Sequence, residues 1–306
     1  MKTYHKEYSG YKKEFFEMRN LLSESFRRSD KPLNWWLCRL DDWRFASYTK
    51  KIRENSRYYQ ENAHLWRNEE GKLIGFFISE DGKNYFEIQV HPDYKFIEKE
   101  MLEWILNNWA QTRDKIVTCI YGWDKKRIRL LTELGFENKG LEAIDFRYDI
   151  SKYTADEVID PDNHFETFSD NYNFDNHIET QRLAFNRTKD QLNREWFETK
   201  CVAPGYSSDL DFIVVDSKGE HLAFCVAWID EANQIAEIDP VGTHPDFRQK
   251  GLAKAVITNC FLTLRKKGIK EVMIQGFTDV PKRLYRSLKP VEEHEIIRFE
   301  LTRNEN

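Results

Sequence analysis

A strand interrupted by proline, followed by a tight turn and a long helix, constrains the fold of this chain more than any other feature. Residues 235–243 read as a strand, and Pro240 within it cannot donate a ladder hydrogen bond, so a bulge or a sheet edge is expected there. We therefore predict that the sheet splits at this point. The split would leave the amides of Val241 and Thr243 to an outside partner, and Gly242 has no side chain to keep that partner from the backbone.

The turn after this strand has the composition of a phosphate site. Arg248, Gly251 and Ala253 stand at the start of a helix, and the small residues allow the chain to turn tightly. Apolar residues recur at every fourth place along that helix: Leu252, Val256, Cys260 and Leu264. The first amides of a helix have no internal acceptor and carry roughly half a positive charge, so they stabilise a phosphate. Arg248 and Lys250 add positive charge.

These residues resemble the acetyl-CoA motif of the GCN5-related N-acetyltransferases (GNAT), which is Arg or Gln, two residues, Gly, one residue, then Gly or Ala. The longer run from Asp239 through Pro-Val-Gly-Thr-His-Pro to Arg248 is similar to a large bacterial subgroup of that superfamily. The resemblance implies acetyl-CoA as a cosubstrate, with its pantetheine arm in the split. The expected cofactor-binding residues are Val241, Gly242, Thr243, Arg248, Gln249, Lys250, Gly251, Leu252 and Ala253.

An internal repeat predicts two domains in this chain. Its 306 residues are about twice the ~150 of a usual domain. Three short segments recur, at offsets of 244 − 91 = 153, 219 − 71 = 148 and 299 − 146 = 153: His91–Lys95 with His244–Arg248, Gly71–Phe76 with Gly219–Phe224, and Phe146–Ile150 with Phe299–Arg303. We predict an α/β fold with mixed sheets, in two tandem GNAT-like domains at residues 1–152 and 153–306. This plan is similar in layout to the mycothiol synthases.

The first half has lost the residues that the phosphate site needs. At the places of Gly251 and Ala253, 153 residues earlier, it has Glu98 and Glu100. Two carboxylates would repel a pyrophosphate, because like charges a few Å apart cost on the order of a kcal/mol or more. We therefore expect the first domain to be non-catalytic and the second to bind acetyl-CoA.

Tyr285 is the candidate acid. It follows Pro281 by four residues on a predicted short helix, and the resemblance places the family's general-acid tyrosine at the pair Leu284 and Tyr285. Its unperturbed pKa of ~10 keeps the phenol protonated at neutral pH, so it can donate to a leaving thiolate. A buried tyrosine that only packs against its neighbours is the alternative.

Glu237 and Asp239 are the candidate bases. They lie two residues apart on a strand and so point to one face, where a carboxylate can take a proton from an ammonium, directly or through water. Asp239 stands where the subgroup usually has Glu, and either carboxylate could instead be bound to nearby backbone. The Val241 amide is the candidate for polarising the thioester carbonyl.

The rest of the sequence predicts further helices and a linker, and it disfavours metal, nucleic-acid and membrane partners. Helices are expected at residues 176–187, 191–201 (with Asp190 as N-cap) and 34–48, and a linker at 156–170. Five scattered cysteines and eight histidines without ligand spacing predict no metal. A net charge of −5 disfavours nucleic acid, and apolar runs far below ~20 residues predict no membrane span. With no leader apparent, we expect a cytoplasmic protein, monomer or homodimer.

Three functions remain open from the sequence. The first is an acetyl-CoA-dependent N-acetyltransferase acting on a primary amine of a small molecule or a peptide. The second is a sensor or scaffold that binds CoA without turnover. The third is an enzyme that modifies RNA or protein, using the interleaved aromatic and basic residues of 27–44 as a binding surface.

Overall fold

The computed structural model describes residues 2–29, 31, 35–45, 55, 57–155 and 159–303. Its α-helices are α1 (Lys12–Ser29), α2 (Leu37–Phe45), α3 (Tyr58–Glu61), α4 (Glu98–Asn107), α5 (Lys125–Glu133), α6 (Phe174–Ala184), α7 (Arg194–Cys201), α8 (Leu252–Lys266) and α9 (Asp279–Arg286). Its strands are β1 (Thr3–Glu7), β2 (Ala63–Asn68), β3 (Leu73–Ile78), β4 (Glu87–Val90), β5 (Lys115–Tyr121), β6 (Glu137–Asp149), β7 (Asn163–Thr167), β8 (Asp211–Asp216), β9 (His221–Asp230), β10 (Ile235–Thr243), β11 (Glu271–Gly276) and β12 (Glu292–Thr302). This mixture gives the α/β class that the sequence predicts.

Two compact units make up the chain, and each contains separate stretches of sequence. Among the described residues, the first unit takes those within 1–40, 55–144 and 294–306, and the second takes those within 41–54 and 145–293. The division falls inside β6 and again inside β12. The sequence predicts two contiguous domains, 1–152 and 153–306. The repeat locates the two copies along the chain, but it does not show in which unit a given strand pairs.

The first unit contains an antiparallel sheet in the order β1-β2-β3-β4 and a pair formed by β12 and β5. In that pair Phe299 lies opposite Thr118. Phe299 is buried in a cluster that also contains Trp66, Phe77 and Met101. A strand from the end of the chain therefore supplies part of the first unit's core.

The second unit has the strand order β6-β11-β10-β9-β8-β7, with β6 contributing from Asp145 onward. β10 runs parallel to β11 and antiparallel to β9. α8 buries one face, which includes Leu252, Val256, Cys260 and Leu264, as the fourfold spacing predicts. Mixed pairing around β10 places the end of that strand, and the loop after it, at the centre of the unit's sheet.

The same backbone arrangement occurs once in each unit. The amide of His91 donates to the Ile74 carbonyl at 2.9 Å, and the amide of His244 donates to the Leu222 carbonyl at 2.9 Å. In both places the histidine Nδ1 accepts from the amide two residues later, at 3.2 and 3.3 Å. The offsets are 244 − 91 = 153 and 222 − 74 = 148, the two values found in the sequence repeat.

Some expected elements differ from those observed. Asn193, not Asp190, caps α7, since its side chain accepts from the Trp196 amide at 3.0 Å. Both residue types cap helices well, so the pattern alone does not separate two candidates three residues apart. The linker expected at 156–170 contains β7, while 156–158 lie outside the described residues. The helix expected at 34–48 is α2, and residues 34 and 46–48 also lie outside them.

Two of the three tryptophans in the aromatic and basic stretch near α2 are buried, and the third, Trp36, is half-buried. Trp35 is 0% exposed and Trp43 is 4% exposed, so neither ring is available for stacking on a base. The described residues include no helix with the length and apolar character needed to cross a bilayer.

Candidate active site

β10 separates from β11 partway along its length. The two strands pair in parallel over Ile235–Glu237 of β10. Pairing of β10 with β9 continues, with a register shift between Ile238 and Val241. Asp239 and Pro240, joined by a cis peptide bond, form this irregularity. The predicted bulge and the predicted split of the sheet are both confirmed.

The split turns two amides of β10 toward the space that β11 has left. The His244 amide donates to Leu222 on the β9 side. In an antiparallel ladder alternate residues face the same neighbour, so the amides of Val241 and Thr243 point away from β9. These are the two amides that the sequence assigns to an outside partner.

Gly242 is required by the packing around it. A Cβ built at Gly242 would lie 2.4 Å from Cζ of Phe224 and 3.0 Å from Cβ of Ala184. Phe224 is Gly242's partner on β9 and is fully buried. The sequence explanation for this glycine was access of a ligand to the backbone, whereas the structure shows that the Phe224 ring fills the place of a side chain.

The loop before α8 leads to an open helix N-terminus. Gly251 caps α8 in the left-handed conformation at φ 79°, and Gln249 is also left-handed at φ 64°. A Cβ added at Gly251 would meet no heavy atom within 4 Å. α8 has no side-chain cap and no acidic residue in its first turn. Its first amides, from Leu252 and Ala253, are therefore well suited to an anion.

The two cationic residues of the loop are exposed and are held by local contacts. The Arg248 guanidinium donates to the Ala184 carbonyl at 2.9 Å and to the Thr243 carbonyl at 3.4 Å. The Lys250 ammonium lies 5.0 Å from the centre of the Phe247 ring. Both charges thus stay near the start of α8, where they favour binding of a phosphate group.

The corresponding helix of the first unit, α4, begins differently. Glu98 and Glu100 both lie in its first turn. The Glu98 carboxylate, 1% exposed, pairs with the buried Arg127 guanidinium at 2.7 Å. Glu100 accepts from the Trp66 indole nitrogen at 3.1 Å. The carboxylates in the first turn of α4 therefore bond to other residues of the first unit. The first turn of α8 instead presents amides that no side chain caps.

Tyr285 lies on α9, and its ring packs at the end of β11. The ring is 6% exposed and lies edge-on to Phe146, with the centroids 5.7 Å apart. A Cβ built at Gly276, the last residue of β11, would be 3.2 Å from the ring. Burial and then the charge of Asp239 raise the pKa of Tyr285 above its usual range. The phenol is therefore protonated at neutral pH and lies within electrostatic reach of the bulge.

The two candidate bases occupy different environments. Glu237 is 9% exposed and lies opposite Trp228 of β9. Asp239 is exposed, and its backbone carbonyl accepts from the Trp228 indole nitrogen at 2.6 Å. Trp228 therefore contacts β10 at both positions and fixes the backbone from which the two carboxylates project.

A buried lysine supports Trp228, and sequence reasoning did not find it. The Lys200 ammonium lies 5.6, 5.7 and 5.5 Å from the ring centres of Trp196, Tyr206 and Trp228. Lys200 itself is 1% exposed. Burial would raise the pKa of Asp211, but His177 and Lys200 hold it below its usual value. Trp196 is four residues from Lys200 on α7, but Tyr206 comes from the loop after that helix and Trp228 from β9, so the sequence shows no more than one of the three contacts.

Solved structures with this fold match over the full length of the chain. A tandem GNAT protein from the clavulanic acid biosynthesis pathway has a TM-score of 0.64 at 12% identity and covers 100% of both chains. A GNAT-family acetyltransferase from Colwellia psychrerythraea has a TM-score of 0.62 at 15% identity, over 99% of this chain and 100% of that one. A GCN5-related N-acetyltransferase from Sphaerobacter thermophilus has a TM-score of 0.61 at 14% identity, over 99% and 97%. The chain therefore has a tandem GNAT fold.

A family model identifies the second half more directly. The model described as the acetyltransferase (GNAT) family matches residues 172–288, which include the bulge, the loop before α8 and Tyr285. Comparison with curated protein sequences gave no match. Residues 172–288 thus match the GNAT family, whose motif the sequence resembles. The likeness in layout to the mycothiol synthases stays a prediction.

Proposed function

We propose that this chain is an N-acetyltransferase that moves the acetyl group of acetyl-CoA to a primary amine of a small molecule or a peptide. The observation that carries the proposal is the split between β10 and β11, with Tyr285 packed at the end of β11. The GNAT match at residues 172–288 supports acyl transfer from an acyl-CoA in general. The proposal goes further in three respects: the acyl group is acetyl, the acceptor is an amine, and the second unit is the catalytic one.

The proposed cosubstrate site follows the chain from the split to α8. The amides of Val241 and Thr243 face the split and would bind the pantetheine arm. The open space at Gly251 and the uncapped amides of α8 would hold the pyrophosphate. Arg248 and Lys250 would add attraction at the rim. The residues present therefore fit an acyl-CoA.

The proposed reaction is direct attack of the amine on the thioester. The amine nitrogen bonds to the carbonyl carbon, and the bond from that carbon to sulfur breaks. Glu237, directly or through water, accepts the proton that the amine loses; Asp239 is the second candidate for this role. The Val241 amide donates to the oxygen on which charge develops. The Tyr285 hydroxyl donates to the sulfur that leaves, and its raised pKa makes it a hydrogen-bond donor that stays protonated.

The first unit would be non-catalytic under this proposal. Its counterpart of the phosphate-binding helix carries Glu98 and Glu100 in the first turn. Glu98 is committed to the buried pair with Arg127. An anion approaching α4 would meet this pair where α8 offers free amides, so one acetyl-CoA is expected per chain.

Calorimetric titration of acetyl-CoA tests the assignment of the loop. The wild type is expected to bind one acetyl-CoA per chain, and Gly251→Glu is expected to abolish binding by placing a carboxylate at the pyrophosphate. Gly251→Gln is the matched control, because it has the same backbone strain at φ 79° and nearly the same size without the charge. It should bind at least tenfold better than the glutamate variant.

Two results would contradict the proposal. If the wild type does not bind acetyl-CoA, or if Gly251→Glu binds as the wild type does, the loop is not the cofactor site. Release of free thiol in the presence of primary amines then separates a transferase from a sensor. Binding of acetyl-CoA with no thiol release from any amine tested would favour the sensor.

A further inference from the structure

The Lys200 ammonium is buried in the second unit without the partners that a buried charge usually has. Lys200 is 1% exposed, and within the described part of the chain its ammonium forms no hydrogen bond and no direct ion pair. Lysine is rarely buried to this extent without a partner, because loss of hydration disfavours the charged form. What surrounds the ammonium must therefore hold the charge in another way.

Aromatic rings surround this ammonium. The ring centres of Trp196, Tyr206 and Trp228 lie 5.6, 5.7 and 5.5 Å from it, within the range in which a ring face attracts a cation. The rings of Tyr206 and Trp228 also contact each other, with centroids 6.0 Å apart. The Tyr206 hydroxyl donates to the buried Asp211 carboxylate at 3.0 Å. The Trp228 ring, 4% exposed, is thus held by both a cation and a second ring.

Trp228 carries this packing to the bulge in β10. Its indole nitrogen donates to the Asp239 carbonyl at 2.6 Å. At the bulge, Asp239 and Pro240 together stand opposite the single residue Val226 of β9. Pro240 has no N–H group that could bond to β9. A side chain therefore supplies a bond between β9 and β10 at the place where the regular ladder is interrupted.

The Val241 amide, the candidate donor to the thioester oxygen, lies between two fixed points. On one side, Gly242 pairs with β9 and bonds to it, by the same alternation that directs Val241 to the split. On the other side, the Asp239 carbonyl is bound to Trp228. The proline ring of Pro240, between them, allows little change in φ. The bond from Trp228 therefore helps to set the direction of the Val241 amide.

We propose that Trp228 and Lys200 are positioning residues for the acetyl transfer proposed above. Trp228 fixes the Val241 amide through the Asp239 carbonyl. Lys200 holds the indole ring in place, and its charge draws electron density from the ring and makes the N–H a stronger donor. The inference rests on the proposed function, because the Val241 amide acts on a thioester only if an acyl-CoA occupies the split. Donors of this kind must be held within about 0.5 Å of the productive position.

Replacement of Trp228 by benzothienylalanine in the full chain tests the proposal. This residue has nearly the same shape, with sulfur in place of the N–H group. Infrared spectroscopy of bound acetyl-CoA with an isotope label at the acetyl carbonyl reports on the donor, since a hydrogen bond to the oxygen lowers the stretching frequency. The wild type should lower the frequency relative to free acetyl-CoA, and Trp228→benzothienylalanine should lose at least half of that shift.

The same variant should separate turnover from binding. The rate constant kcat for thiol release with a primary amine should fall by ~10-fold or more, a part of the ~10²–10³-fold that complete loss of such a donor costs. The dissociation constant of acetyl-CoA should change less than about threefold, because the loop before α8 and its amides are untouched. Lys200→Met keeps most of the side chain's length without the charge and should lower kcat at least ~3-fold.

Trp109 of the first unit provides a matched control. It is 7% exposed, its indole nitrogen donates to the Asn62 side-chain oxygen at 3.3 Å, and the Arg113 guanidinium lies 3.8 Å from its ring centre. Trp109→benzothienylalanine therefore removes the same kind of bond from a ring next to the same kind of charge. It lies in the unit proposed to be non-catalytic, so the carbonyl band and kcat should both stay as in the wild type.

The possible results separate this inference from the proposed function. If the wild type shifts the band and Trp228→benzothienylalanine shifts it as far with unchanged kcat, the positioning role is overturned and the proposed function stands. Equal losses of kcat in the Trp228 and Trp109 variants, or acetyl-CoA bound by the wild type without a band shift, also overturn the positioning role. Unchanged kcat in Lys200→Met overturns the part assigned to the ammonium. A wild type that binds no acetyl-CoA overturns both the inference and the proposed function.

Discussion

At the scale of single residues, Tyr285 combines deep burial with a place at the end of the split. Its hydroxyl has no hydrogen-bond partner among the described residues, and it lies within the field of Asp239. A phenol in that state can give its hydrogen bond to an incoming sulfur without first breaking another. The ring itself packs on Phe146 and contributes to the core whether or not the hydroxyl acts.

Tyr285→Phe is therefore expected to separate chemistry from packing. Removing the hydroxyl should lower kcat by ~10²-fold or more, the cost typical of losing one hydrogen-bond donor to a developing charge. The dissociation constant of acetyl-CoA should stay within about twofold, because the ring remains and the loop before α8 is untouched. Thiol release and calorimetry measure the two quantities.

A second tyrosine serves as the control for this substitution. Tyr153 lies in the same unit, with its ring against Phe261 at 5.1 Å, away from the residues of the split. Tyr153→Phe should leave kcat unchanged. Equal losses in both variants, or no loss for Tyr285→Phe, would show that the Tyr285 hydroxyl is not the donor to sulfur.

Residue-level prediction from sequence worked best where one residue type has one physical consequence. Pro240 lacks an amide hydrogen, and its bulge could be predicted from that alone. Gly242 was correctly singled out, but the ring that requires it, Phe224, comes from another strand. Of the aromatic surroundings of Lys200, only Trp196, four residues away on the same helix, follows a local spacing, because Tyr206 and Trp228 come from elsewhere in the chain.

At the scale of elements, α4 and α8 are two copies of one helix with different first turns. The carboxylate of Glu98 and the guanidinium of Arg127 are both almost fully buried. Removing one member of a buried pair leaves the other charge without its partner and costs about 3–5 kcal/mol. The Asp124 carboxylate, 3.9 Å from Arg127, remains and should reduce that cost.

Glu98→Gln is thus expected to destabilise the protein by about 3 kcal/mol, toward the low end of that range. Denaturant unfolding measures the change. Glu103→Gln on the same helix is the control: it breaks an exposed pair with Lys99 at 3.7 Å and should cost less than about 1 kcal/mol. A loss for Glu98→Gln as small as that of the control would mean that the buried pair does not hold α4 in place.

Element prediction succeeded where periodicity and flanking residues agree. The apolar spacing of α8 gave its buried face, and Gly268 follows its end in the left-handed conformation. β7 was missed because a short strand with polar residues, Asn163–Thr167, resembles a loop in composition. Its pairing with β8, which the sequence does not encode locally, makes it a strand.

At the scale of the whole molecule, neither unit is a continuous piece of chain. β5 of the first unit pairs with β12, and Phe299 of β12 lies in the first unit's core. Sequence repeats could not reveal this, since a strand has the same alternation whichever neighbour it pairs with. The two-unit plan was predictable from length and repeat, but the assignment of β6 and β12 was not.

The fragment 1–152 is accordingly expected not to fold cooperatively by itself. A second fragment, in which residues 292–303 are attached through a flexible linker, restores the partner of β5 and should fold. Near-ultraviolet circular dichroism and denaturant unfolding compare the two. Phe299→Asp in the linked fragment is the control, because it keeps the length and buries a charge, and it should abolish the gain. Cooperative unfolding of 1–152 alone would contradict this prediction.

The place of β12 in the first unit also has a consequence during synthesis. Domains of a growing chain generally fold in order from the N-terminus, at about 5–20 residues per second of elongation. Here the first unit must wait until β12 has left the ribosome, some 150 residues after Ile144, which takes roughly 8 to 30 s. During that interval β5 has an unpaired edge, and nascent chains on neighbouring ribosomes could pair with it. A cell that makes this protein would therefore gain from a chaperone that covers the first half until β12 has been synthesised.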